Sequence, residues 1–157
     1  MKELDSYLND HLAGSVGALE LVEHWTHLHE GKPLGVFFSD IEAEIRADQN
    51  ALRDIMHLLG IEESNVRKAG AWAAEKAGRA RLMIAGDDRG SLGLVLTLEG
   101  LIMGITGKKL LWRALDAARM LQPNRYDFEE LQLRAEEQIK RIEVERLRAV
   151  QKAFSSP

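Results

Sequence analysis

The 157-residue chain contains no cysteine, which excludes disulfides, thiolate metal sites and a thiol nucleophile. It has only three prolines, and the alternation of apolar and polar residues that marks a half-buried strand is missing. Neither sign of charge dominates: 21 Lys and Arg stand against 25 Asp and Glu, a formal net charge of -4. That balance gives no general attraction for nucleic acid or for anionic membranes. Long hydrophobic runs are also lacking. The longest apolar stretch, LGLVLTLEGLIMGITG over residues 92–107, is shorter than the ~20 residues of a membrane span, and Arg and Lys flank it. The opening MKELDSYLND is too acidic and polar for a signal peptide. A soluble, cytoplasmic protein is expected, with no membrane or nucleic-acid partner.

What the chain does have is helical periodicity. Hydrophobic residues make up 45% and charged residues 29%, enough for one domain over 1–157 with a sizeable core. Leu8, Leu12, Ser15, Leu19, Val22 and Thr26 recur in steps of three and four, which predicts a helix over about 3–29. Gly31 then breaks the chain, and Pro33 suits the first turn of a second helix over about 34–59. Its seam runs through Leu34, Phe38, Ile41, Ile45, Asp48, Leu52, Ile55 and Leu59, and Gly60 is a natural stop. A short helix is predicted over 64–78, capped by Ser64. A third long helix covers about 90–121, and a fourth about 127–154. Asp127 with Glu130 three residues later is a capping-box pattern at the start of the fourth. Its seam is Phe128, Leu131, Ala135, Ile139, Ile142, Arg146 and Ala149.

Four long helices with a connection of about thirty residues between the second and third fit an all-α four-helix bundle with one long crossover containing a short helix. The shared spacing places Ile41, Ile45, Leu52, Leu96, Met103, Ile139 and Ile142 in one core. Several polar residues fall on the inward faces. Glu99 is the sharpest case, because an ionised carboxylate among Leu, Val, Ile and Met is costly unless it is paired or metal-bound. Helical rise places Ser15, Asp48 and Gln138 near mid-bundle, with Glu99 about one turn away beside Glu20, Glu44 and Arg146. His11, Ser15, Asp48, Glu99, Gln138 and Arg146 are therefore expected to form a buried polar layer. Arg146 is the first candidate partner for Glu99, since an arginine can bond a carboxylate with two parallel donors.

The phrase AEIRADQNAL on the second helix, and the echo of LELVEHW and IRADQNAL by LEGLIMG and LRAEEQIK, resemble the duplicated helix pairs of the ferritin-like superfamily. LNDHLAGSVGALEL, WAAEKAGR and LEGLIMGITGKKLLWRAL are similar to uncharacterised bacterial ferritin-like proteins. The resemblance implies a ferritin-like bundle, and for di-iron members a lone Glu on each of two helices and Glu-x-x-His on each of the others. Glu20 and Glu99 fall at the places of the lone glutamates. Ile45 and Asp48 stand where a Glu-x-x-His pair belongs, and Glu136, Glu137 and Gln138 have no histidine three residues after either glutamate. The expectation is a non-catalytic structural or interaction module without cofactor. The alternative is a di-iron or di-manganese oxidoreductase or storage protein, with ligands drawn from Glu20, Glu44, Asp48, Glu99, Glu136 and Glu137.

Other signals have plainer explanations beside the functional ones. Glu20, His24 and His27 share a helical face and offer three metal ligands, with His29 close by, but histidines at a helix C-terminus also favour its dipole. Gly93, Gly100, Gly104 and Gly107 line one side of the third helix. Ala13, Gly14, Gly17 and Ala18 form a matching small patch on the first helix, so close helix approach is expected; a small-molecule groove is the other reading. The second side of the third helix is apolar as well: Leu94, Leu98, Leu101, Ile105 and Trp112. One bundle core cannot cover both sides, so Trp72 and residues 82–84 of the crossover, or a second copy in a homodimer, would cover the rest. GDDRGSLG lacks the Gly-Lys-Ser/Thr of a phosphate loop, and no nucleophile motif is present.

Overall fold

The computed structural model of the protein describes residues 2–64, 90–119 and 125–155. These residues form four α-helices and no strand: α1 (Lys2–Leu28), α2 (Pro33–Leu58), α3 (Gly90–Ala118) and α4 (Phe128–Phe154). The regular structure of the described residues is entirely helical, as the periodicity predicts. The helices belong to two compact units, α1 with α2 and α3 with α4. Of the short helix predicted over 64–78, Ser64 is in irregular backbone; the rest, with Trp72 and residues 82–84, lies outside the described residues.

In the first unit the expected faces are buried. Leu8, Leu12, Leu19 and Val22 of α1 and Phe38, Ile41, Ile45, Leu52 and Ile55 of α2 are all removed from water. Trp25, on the same α1 face, makes stacked contacts with the His29 and Phe38 rings, with centroid separations of 5.4 and 5.7 Å. Cross-helix hydrogen bonds from Gln49 to Ser15 and from Arg46 to Glu23 show that the two helices run antiparallel.

The turn between them follows from local chemistry. Gly31 takes a φ of +73°, a left-handed conformation that costs glycine nothing. Lys32 is extended at the N-cap and Pro33 opens α2, where its missing N–H leaves no bond unmade. Gly35 is buried against the chain that leaves α1, and a Cβ there would collide with the His29 carbonyl oxygen. At the other end of α2, the N–H of Gly60 donates to His57 and that of Ile61 to Met56. Gly60 has a φ of +66° and Ile61 is buried, which together make a Schellman stop with its hydrophobic contact.

The second unit corrects part of the expected core. Ile142 is buried and Ile139 half-buried, but Leu96 is 49% and Met103 71% exposed. The buried side of α3 is the other one: Val95, Leu98, Leu101, Ile105, Trp112 and Leu115. Both sides are apolar, so periodicity alone does not choose between them. Side-chain bulk does. The buried side carries Trp112, Ile105 and four other large side chains, whereas Gly100, Gly104 and Gly107 break up the outer one (Gly93, expected in the same row, is buried), and burial stabilises in proportion to apolar area removed from water.

α3 also ends earlier than expected, at Ala118, with Arg119 in a left-handed conformation (φ +49°). At the start of α4 the Asp127 carboxylate accepts from the Glu130 N–H at 2.9 Å, which is the N-cap that the sequence pattern predicts.

Candidate functional site

The polar residues singled out in the sequence are divided between the two helical units. In the second unit, α3 and α4 run antiparallel, and Arg146 reaches Glu99 across them at 3.4 Å. Glu99 is not buried. Its side chain is 45% exposed, against 23% for Arg146. The reason is the rotation of α3 just described: with Leu98 and Leu101 turned inward, position 99 lies on the rim of the helix pair. The desolvation cost expected of an isolated carboxylate in an apolar interior is not incurred there. Arg146 is held first by its own helix, donating from Nε and Nη2 to the two Glu143 oxygens at 2.6 Å each. The Glu143 contact, and then Glu99, keep the guanidinium pKa above its ordinary value, and Arg146 holds the Glu143 carboxyl below its own.

Gln138 is fully buried on α4, and its side-chain oxygen accepts from Lys108 of α3. Glu136 pairs with Lys109 at 2.6 Å, a hydrogen bond that pulls its carboxyl below the ordinary range. Glu137 lies 3.6 Å from Lys140, one turn on along the same helix. Glu136 and Glu137 thus each meet a cation rather than one another.

In the first unit, Asp48 is buried on α2, as its place on the seam predicts. Gln49, which the sequence reading passed over, is buried too; its Nε2 donates to Ser15 Oγ at 2.8 Å and its Oε1 accepts from Arg53 at the same distance. The signal was legible, because 49 lies four residues after Ile45 and three before Leu52. Thr97 of α3 is likewise buried and unanticipated. Ser15 and His11 are half-buried rather than enclosed. Burial pushes the His11 pKa below its ordinary value against the opposing charge of Asp10, and the ring stands edge-on to Tyr7 at 4.7 Å. Glu20, Glu44 and His24 are half-buried and His27 is exposed. Among the described residues, no three or more His, Asp or Glu side chains come together as a metal ion requires.

The outer side of α3 is the remaining feature. Leu96, Met103 and Leu110 stand 49%, 71% and 55% exposed. Among the described residues nothing lies within 4 Å of where a Cβ would stand on Gly100, Gly104 or Gly107, or on Gly14 of α1. Close helix approach is therefore not what these glycines serve within each unit. Each interior glycine costs a helix about 0.5–1 kcal/mol relative to alanine, and the three on α3 are not compensated by contacts among the described residues of the α3–α4 unit. By length and composition α3 could also cross a membrane, a property that core helices of soluble proteins share; a third of its apolar window is buried.

Comparison with protein-family models, with characterised proteins and with solved structures finds no match to this chain.

Proposed function

We propose that the protein is a non-catalytic, cytoplasmic helical module of ferritin-like type, in which a long connection between α2 and α3 completes a four-helix bundle and the outer side of α3 serves as an interaction surface. The observation that carries this reading is the pairing of its carboxylates. Glu99, Glu136, Glu143, Glu23 and Glu42 each meet an arginine or lysine, whereas a di-metal centre needs carboxylates that converge and histidines to complete the ligand set. Ile45 and Asp48 at the place of a Glu-x-x-His pair support it further.

The experiment is elemental analysis of the purified protein after incubation with ferrous iron or manganese. The reading expects substoichiometric metal that gel filtration removes. Two retained ions per chain would overturn it in favour of the oxidoreductase or storage alternative with atypical ligands. The open space at Gly100, Gly104 and Gly107 favours one further reading, a small-molecule binder along that groove. Co-purification of a stoichiometric organic ligand, read by native mass spectrometry, would distinguish it.

A further inference from the structure

The outer side of α3 is ordered in a way that selects its occupant. Leu96, Met103 and Leu110 are spaced seven residues apart, and so are Gly100 and Gly107. The two rows alternate in steps of four and three, which is the a/d spacing of a helix seam that packs against another helix. One row is large and exposed. The other is glycine, with open space where a Cβ would stand. We propose that this face is a self-interface, on which α3 of a second copy packs antiparallel about a two-fold axis near residues 101–102.

The direction follows from volume. In a parallel pair each row faces its own copy, so glycine meets glycine across a void while leucine crowds leucine. Well-packed contacts do not tolerate such voids. In an antiparallel pair the rows exchange: Met103 of one copy enters the gap at Gly100 of the other, and Leu96 the gap at Gly107. The same patch then serves both subunits, which is the condition for a closed two-fold dimer. Charge agrees. Arg113 is exposed toward the C-terminal end of the seam, and a parallel pair would bring two such residues together, whereas the antiparallel pair parts them. The inference rests on the reading of this face as an interaction surface and is independent of metal content, so the elemental analysis and the experiment below fail separately.

The absence of cysteine makes the test clean. The 157-residue chain is expected to sediment at twice its 17.6 kDa mass at tens of micromolar. Met103→Glu should return it to one mass unit with its helical circular dichroism intact, because the side chain replaced is solvent-exposed. A short bifunctional maleimide should join Met103→Cys to itself. It should also join Leu96→Cys to Leu110→Cys when the two variants are mixed, since these lie within about one turn of each other along the seam, but not Leu96→Cys to itself, since the two copies of residue 96 would lie ~16 Å apart.

A monomeric wild type, a dimer indifferent to Met103→Glu, or efficient self-joining at Leu96→Cys would each overturn the proposal. So would flotation of monomer with phosphatidylcholine–phosphatidylglycerol vesicles, which would assign the face to a lipid surface instead.

Discussion

Arg146 binds Glu143 on its own helix with two 2.6 Å hydrogen bonds and Glu99 on the neighbouring helix with one of 3.4 Å. The intrahelical partner dominates, and the cross-helix carboxylate is nearly half exposed. Exposed ion pairs typically contribute 0–1 kcal/mol, whereas removing one partner of a buried pair costs about 3–5 kcal/mol. Glu99→Gln should therefore lower unfolding stability by under about 1 kcal/mol, read as a small shift in the urea midpoint. A loss on the buried-pair scale would mean that the carboxylate is enclosed in solution.

Glycine substitutions should separate two positions that look alike in sequence. Gly35→Ala places a methyl against the His29 carbonyl oxygen, a backbone atom that can yield only by opening the α1–α2 turn. Overpacking of this kind costs about 1–3 kcal/mol or more. Gly14→Ala meets open space in mid-helix and should stabilise by about 0.5–1 kcal/mol. Thermal denaturation of the two variants beside wild type checks both signs at once.

How far the sequence carried the reading depends on how one-sided each helix is. α2 has a single apolar seam, and every predicted position from Phe38 to Ile55, Asp48 included, is buried. The ends of α2 and the start of α4 are equally legible, because Pro33, Gly60 and Asp127 each perform one local task. α3 has no such one-sided pattern. Leucines lie all round that helix, so the period of 3.6 is satisfied by either face, and spacing alone predicts the face bearing Leu96, Glu99 and Met103 as the inner one. The rank of side-chain volumes, Trp112 and Ile105 against glycine, is the cue that separates them. The partners of Glu99 show the same limit: spacing on α4 pointed to Arg146, but the stronger hold of Glu143, three residues earlier on the same helix, is a matter of rotamer geometry that periodicity does not carry.

The Ser15–Gln49–Arg53 chain of hydrogen bonds links α1 to α2 through a buried amide. Ser15→Ala removes the acceptor for Gln49 Nε2, and leaving a buried donor unpaired costs about 1–3 kcal/mol. Gln49→Met beside it removes the donor as well. The double variant should then be less destabilised than the sum of the two single changes, because no orphaned amide remains. A double-mutant cycle in urea measures the difference; strict additivity would show that water replaces the lost serine oxygen without penalty.

His11 gives the first unit a dependence on pH whose sign is fixed by its environment. Burial lowers its pKa in the folded chain below the ordinary value of 6.5, and Asp10 opposes the shift without cancelling it. The unfolded chain therefore binds a proton on this ring at a pH where the folded chain does not. Wherever the unfolded state holds more protons, stability rises with pH. The contribution of His11 is thus fully present above pH 6.5 and is lost as pH falls toward and through the lowered folded value. Replacing the ring by a group that does not titrate should flatten that segment of the curve. Unfolding midpoints for wild type and His11→Gln, compared at pH about 7.5 and about 5.5, should converge as the solution is acidified, with wild type losing more. A wild-type curve that is flat across that interval, or that rises toward acid, would show that the folded chain protonates His11 as readily as the unfolded one.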